Sequence, residues 1–387
     1  MARFEDLTAL LQQFVQNGPA GCGCAIAKDG KVLYEGYFGY ADLEEKRPMA
    51  EDTVHRLFSL TKVIICTAGM MLYERGKFLL DDPIYEYFPE YRDLQVCVTE
   101  ANGNHHIRKA KTPMLVKHAF TMTCGLPYSF GGTKTADEMA KVMAELKKKY
   151  GKYDIVTEVK AMASVPLQFD PGTHWLYGYG HDIVAGLIQL VSGKTVGQFL
   201  KEEIFEPLGM NNTGYRFNAD IEKRLATFYK RDENGSMTKA PPFWDEYHQS
   251  DAIYEAGGAG LYSTVSDYLK ISQMLANGGI YNGQRIIGRK TIDLMRTNHL
   301  TPEQLKDFTF PYVSGYGYGL GVRTLVNPAE AHCNGSVGEF GWTGYPGCYV
   351  VIDPSERFSL VYMHQMDPNM EQYHHHRVRA VAYGCLE

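Results

Sequence analysis

The sequence predicts an α+β fold: an antiparallel sheet assembled from both ends of the chain, flanked by helices, with a mostly helical lobe inserted between them. Two hairpin signatures and the helical periodicity that separates them carry this expectation. Residues 19 to 41 form a strand, an Asp29-Gly30 turn and a second strand from Lys31 to Gly39, the Asp-Gly pair supplying the positive backbone angles of a tight hairpin. Gly347 to Ile352, the turn Asp353-Pro354-Ser355-Glu356 and Arg357 to Met363 repeat that pattern, and a helix follows from about Met370.

Between the hairpins, apolar residues at three- and four-residue spacing predict helices over 63–76, 136–149, 155–163, 181–192, 195–204 and 265–278. Asn102-Gly103, between Leu94 to Ala101 and His105 to Ala110, marks a small surface hairpin, and Lys147-Lys148-Lys149 marks a solvated helix end. Internal repeats and low-complexity linkers are absent, so one domain is expected over residues 1–387. Its α/β lobe would comprise 1–95 with 255–387 and its helical lobe 96–254, with the cleft between them the natural place for a site.

Composition narrows the function classes. Apolar residues make up 44% and charged residues 22% of the 387-residue chain, and no window approaches the roughly 18 to 20 apolar residues of a membrane span. The net charge of -6 carries no basic stripe, which argues against a nucleic-acid partner. The start, Met1-Ala2-Arg3-Phe4-Glu5-Asp6, lacks the charged, apolar and small-residue regions of an export signal, so a soluble cytoplasmic protein is expected. The eight cysteines, including Cys22-Gly23-Cys24 in a buried strand, read as reduced core thiols. His105-His106 and His374-His375-His376 read as surface histidines, and neither a metal nor an organic cofactor is implied.

The chemistry concentrates in Arg56-Leu57-Phe58-Ser59-Leu60-Thr61-Lys62, which runs directly into the apolar segment Val63 to Leu72. Residues three apart share one face of a helix, so Ser59 and Lys62 touch if a helix begins near Phe58. Burial disfavours an ammonium, lowers the lysine pKa and frees a neutral amine to take the serine proton. The bare Ser-x-x-Lys pattern arises by chance about once or twice in a chain of this length. A second match, Ser236-Met237-Thr238-Lys239, lies in a polar turn region with nothing to desolvate its lysine.

Two further segments keep the pair company. Tyr177 follows the Pro171-Gly172 turn on a loop, and a phenol beside an ammonium is expected to become more acidic and to relay protons. Gly338-Glu339-Phe340-Gly341-Trp342-Thr343-Gly344-Tyr345-Pro346-Gly347 forms a glycine-rich strand edge, able to offer a peptide N–H to a developing oxyanion beside the nucleophile's own N–H. Competing signals fail on detail. Ser192-Gly193-Lys194-Thr195 ends like a phosphate loop, but Ile188 stands where its first glycine belongs, and the Gly-x-Ser-x-Gly elbow is absent.

In order and character these segments resemble the serine β-lactamase and penicillin-binding-protein superfamily, in the branch that holds class C β-lactamases and β-lactamase-like carboxylesterases. The resemblance covers most of the chain. It includes Gly39-Tyr40-Ala41-Asp42-Leu43, Met122-Thr123-Cys124-Gly125-Leu126-Pro127, Pro207-Leu208-Gly209-Met210 and Gly257-Gly258-Ala259-Gly260-Leu261-Tyr262-Ser263-Thr264. It implies a β-lactamase/transpeptidase-like fold, Ser59 as nucleophile, and Lys62 and Tyr177 as the proton-transfer pair. It further implies Trp342-Thr343-Gly344 as the pocket strand and the N–H groups of Ser59 and Tyr345 as oxyanion donors.

Two departures point within the branch. Tyr179 stands where β-lactamases and DD-peptidases place an asparagine, and Trp342 where they place Lys or His. The first removes an amide that would hold a peptide or β-lactam, the second a partner for its carboxylate. Both changes favour neutral esters as the small-molecule substrate, and Trp175, Tyr179, Trp342 and Tyr345 are candidates to line the pocket. The expectation is a serine hydrolase cleaving carboxylic esters. The alternatives are a β-lactamase, a D-amino-acid peptidase or an acyltransferase on the same residues, or a non-catalytic acylated sensor.

Overall fold

A computed structural model describes residues 4–100, 102–241, 244–310 and 312–386. Among them the main sheet holds nine strands. In spatial order they are Tyr316–Tyr318, Arg323–Leu325, Phe340–Gly341, Cys348–Asp353, Phe358–His364, Gly21–Lys28, Lys31–Asp42 and Arg47–Pro48, with Thr343–Gly344 also paired to Cys348–Asp353. The two hairpins adjoin as expected: Ala25 faces Val361 and Cys22 faces His364 in an antiparallel register.

Alternation along the strand Gly21–Lys28 shows what covers the sheet. Cys22, Cys24 and Ile26 pack with Leu7, Leu11 and Phe14 of the helix Glu5–Asn17 and with Val378 and Ala382 of the helix Glu371–Gly384. Ala25 and Ala27 belong to the main core with Val265, Leu269 and Ile271 of the helix Val265–Ala276. Both faces are dry, which is why the strand shows no polar alternation.

The expected helices appear with small shifts, as Thr61–Glu74, Lys134–Tyr150, Ile155–Met162, Gly180–Ser192, Val196–Leu200 and Val265–Ala276. The stretch 195–204 breaks after Leu200 into a wider turn over Lys201–Phe205. Thr61–Glu74 is buried from Thr61 to Leu72 and packs against Gly180–Ser192, the position expected of a helix apolar on every side. The small hairpin forms from Gln95–Thr99 and His105–Lys109; Ala101, the expected end of its first strand, lies outside the described residues. No single helix among the described residues is long and apolar enough to cross a membrane.

The histidine expectation is only half right. His105 and His106 are exposed, but His374 and His375 are buried, because the carboxy-terminal helix lies against the sheet and directs both rings inward. His374 packs on Phe14 at 4.2 Å between ring centroids, and His375 stacks on Tyr349 at 4.3 Å. Among the described residues no disulfide joins the cysteines, and all of them but Cys333 are buried.

Candidate active site

Ser59 stands in a single 3-10 turn, Phe58–Leu60, immediately ahead of the helix Thr61–Glu74. Phe58 has φ +44°, a left-handed conformation that a side chain this large adopts at a cost of about 1–3 kcal/mol. The helix then carries Lys62 back over the serine, with Nζ 3.0 Å from Ser59 Oγ. The same nitrogen donates to the Gly258 carbonyl at 2.5 Å and lies 4.7 Å from the ring centroid of Tyr177 and 5.8 Å from that of Tyr128.

Lys62 is 0% exposed. Burial lowers its pKa to about 7, with the nearby Asp182 carboxylate opposing part of the shift. The amine is therefore available in its neutral form near neutral pH, as the apolar surroundings in the sequence implied.

Tyr177 reaches the pair from its loop, hydrogen-bonded to Ser59, and accepts a hydrogen bond from Trp342 Nε1 at 3.1 Å. Its acidity runs opposite to expectation. Burial pushes the phenol well above the ordinary tyrosine range, and its hydrogen bonds with Ser59 and Trp342 recover only part of that shift. Desolvation outweighs the neighbouring amine because a lysine lowered to about 7 has lost its proton over the range where a phenol ionises and then offers little charge to stabilise a phenolate.

The glycine-rich edge arrives from the other side. Thr343 pairs with Tyr349 and Gly344 with Cys348, while Trp342 interrupts the strand between Phe340–Gly341 and Thr343–Gly344. Gly344 sits so close to the serine turn that a Cβ there would lie 2.1 Å from the Leu57 carbonyl oxygen. That approach brings Tyr345 edge-on to Phe58, ring centroids 5.6 Å apart, so the peptides of Ser59 and Tyr345 belong to adjoining segments.

The four candidate pocket aromatics divide into two groups. Trp175 and Trp342 are buried behind Tyr177, their rings 6.1 and 5.6 Å from it, in a cluster with Phe308, Phe310 and Tyr318. Tyr179 is half-buried, donating to Ser129 Oγ at 3.4 Å, and Tyr345 is 36% exposed. In the second Ser-x-x-Lys match, Ser236 precedes the short strand Met237–Lys239, and the half-exposed Lys239 turns to the buried Asp42 at 2.8 Å. Gly193 ends the helix Gly180–Ser192 in a left-handed cap instead of opening a phosphate loop. No group of three or more His, Cys, Asp or Glu among the described residues is arranged to hold a metal ion.

The Beta-lactamase family model matches residues 7–383. The chain belongs to the Beta-lactamase family. Among curated members it is 26% identical over 376 residues to the ML-236A carboxylate methylbutanoyltransferase mlcH of Penicillium citrinum, covering 90% of this chain and 86% of that one. It is 26% identical over 358 residues to Esterase EstB of Burkholderia gladioli, covering 88% and 84%. The solved structure of EstCE1, described as a hydrolase with promiscuous acyltransferase activity, superposes with a TM-score of 0.81 at 24% identity, over 98% of each chain. The Beta-lactamase family fold, an antiparallel sheet with flanking helices, is therefore the fold of this chain.

Three neighbours of Ser59 and Lys62 escaped sequence reading. Tyr128 meets Tyr177 edge-on at 5.7 Å and lies under the Lys62 amine. Gly258 supplies the carbonyl that accepts from Lys62, and Asp182 supplies the charge. Tyr128 follows the Gly125-Leu126-Pro127 segment and Asp182 opens an apolar helix, but neither position carries a periodic or spacing signal that ties it to Lys62.

Proposed function

We propose that this protein is a serine hydrolase that cleaves carboxylic esters through an acyl-enzyme on Ser59. The observation that supports this most is the buried Lys62 amine, 3.0 Å from the Ser59 hydroxyl with its pKa lowered to about 7. As a neutral amine it keeps an N–H for the Gly258 carbonyl and turns its lone pair to the serine O–H.

Ser59 Oγ attacks the ester carbonyl carbon as its proton passes to Lys62 Nζ. The carbonyl π electrons move to oxygen, and the peptide N–H groups of Ser59 and Tyr345 receive the oxyanion. Collapse restores the carbonyl and breaks the bond to the alcohol, which leaves with a proton supplied through Tyr177 and Lys62. A phenol kept protonated by burial suits that donor role. Water then attacks the acyl-enzyme by the same route, releasing the acid and returning the proton to Ser59.

Trp342 and Tyr179 support neutral esters over β-lactams and peptides, since neither can hold a substrate carboxylate as a cation or an amide as an asparagine would. The relatives named for esterase and methylbutanoyl-transfer activities are each 26% identical to this chain, and an acyl group held on Ser59 would serve either reaction. They differ only in whether water or a second alcohol takes the acyl group.

Hydrolysis of p-nitrophenyl acetate and butyrate, beside a chromogenic cephalosporin, tests the assignment. Turnover of the esters and a Ser59→Ala variant below about a hundredth of wild type are expected. Robust cephalosporin turnover with weak ester turnover would reverse the substrate assignment. A stable ester-derived adduct without turnover, seen by intact-protein mass spectrometry, would instead mark a sensor.

A further inference from the structure

Asp182 sits, buried, in the first turn of the helix Gly180–Ser192. Its Oδ1 accepts from two successive peptide N–H groups, Gly257 at 2.9 Å and Gly258 at 3.0 Å. The carbonyl of that same Gly258 takes the hydrogen bond from Lys62 Nζ. The segment is tied a second time at its far end, where Thr61 Oγ1 accepts from Gly260 N at 3.2 Å and Leu261 N at 3.1 Å. Side chains are excluded from the cradle. A Cβ on Gly257 would stand 2.0 Å from the His181 carbonyl oxygen, and one on Gly258 would stand 2.9 Å from Asp182 Oδ2.

Resting on the role proposed above for Lys62, we infer that Asp182 is its positioning residue: the carboxylate holds the Gly257-Gly258 peptide so that the Gly258 carbonyl aims the amine at Ser59, and its charge faces that amine. The mechanism supplies a reason for such a device. A lysine on four rotatable bonds loses its near-attack geometry unless a fixed acceptor holds one of its protons. A backbone carbonyl is fixed only as well as its own peptide is held.

The charges around the amine leave Asp182 as its main electrostatic partner. His181, from the same helix as Asp182, is held neutral by burial, its pKa lowered to about 3, and the Cys66 thiol on the Lys62 helix is pushed up by burial. Tyr128 and Tyr177 are phenols raised above their ordinary range. Behind Asp182 stand Tyr179, Tyr215 and Tyr254, all likewise raised, and Glu158, which burial lifts to about 8 and keeps protonated at neutral pH. Burial raises the Asp182 carboxyl too, while the two N–H groups and Lys62 counter the rise.

Asp182→Asn separates charge from geometry, because its amide oxygen still accepts from both N–H groups. The test is the pH profile of kcat/KM for p-nitrophenyl acetate, with folding checked by circular dichroism. Removing the carboxylate lowers the Lys62 pKa, so the rising limb of Asp182→Asn moves about one unit toward acid. Asp182→Ala frees the peptide, and kcat falls about 100-fold with KM nearly unchanged. Thr61→Val unties the other end of the segment without touching the charge; it lowers kcat and leaves the limb in place. A wild-type limb in Asp182→Asn, or kcat within twofold of wild type in Asp182→Ala, overturns the inference. Lys62→Ala in the same assay keeps the two ideas apart. If it retains wild-type activity, the proposed function fails; if it is inactive while Asp182→Asn keeps the wild-type limb, only the role of Asp182 fails.

Discussion

The indole nitrogen of Trp342 donates a hydrogen bond to the phenol oxygen of Tyr177 at 3.1 Å, and the two rings lie 5.6 Å apart. With its oxygen accepting from the indole, Tyr177 keeps its own proton for the serine side of the site. Trp342 is 2% exposed, so in the proposed mechanism its effect on substrate would pass through Tyr177. Trp342→Phe keeps most of the ring packing and removes the donor. A loss of about 1 kcal/mol in transition-state stabilisation is expected, close to a fivefold fall in kcat with little change in KM. Steady-state kinetics on p-nitrophenyl butyrate decide it, and an unchanged kcat would show that the indole only fills space.

The two proton-transfer groups predict the shape of the pH profile. Lys62 must be neutral to accept the serine proton, so kcat/KM rises with pH through a midpoint near 7. Tyr177 must stay protonated to donate, and burial holds its pKa above the ordinary tyrosine range, so activity forms a plateau that persists beyond pH 10. A rising limb near pH 4 to 5 would indicate a carboxylate base. A fall before pH 9 would mean that Tyr177 ionises early.

Phe130 is 74% exposed, although its ring stacks on Tyr128 at 5.3 Å with 9° between planes. Tyr128 in turn faces Tyr177 and Lys62, so a chain of ring contacts leads from the exposed Phe130 to the neighbours of Ser59. In the proposed mechanism, an apolar acyl chain extending from Ser59 would gain by covering Phe130. Phe130→Ala should lower kcat/KM for p-nitrophenyl octanoate about fivefold and leave the acetate ester within twofold. Equal losses on both esters would place the acyl chain elsewhere.

The buried histidines predict acid sensitivity. Burial lowers the pKa of His55 and His374 to about 4, and that of His364 and His375 further. Each binds its proton more weakly folded than unfolded, so its stability contribution is complete above pH 6.5 and is lost as pH falls from there toward 4. His374→Phe, whose ring can still pack on Phe14, removes one such site. Urea unfolding should find the variant within about 1 kcal/mol of wild type at pH 7 and about 1–2 kcal/mol more stable than wild type at pH 5. Parallel stability curves for the two proteins would rule out the linkage.

The local parts of the site were legible because local geometry makes them. A helical turn brings residues three apart together whatever the rest of the chain does, so Ser59 and Lys62 could be paired from spacing alone. The apolar run after Lys62 likewise announced its burial. Asp29-Gly30 and Asp353 to Glu356 marked two hairpins because tight turns demand particular residues, and the matching hairpins at the two ends pair in one sheet.

What lies far apart in sequence had to wait for the folded chain. Trp342 and Tyr177 meet across 165 positions and Lys62 and Gly258 across 196, and no periodic signal spans such distances. His374 and His375 looked polar and exposed until the closing helix was seen to press them against the sheet. Tyr177 was expected to become more acidic beside a cation, but both groups are desolvated together, and burial outweighs the pair attraction. Spacing along the backbone determines which groups are neighbours on one element. Only the packing of one element on another determines how dry those neighbours are, and dryness sets their proton affinities here.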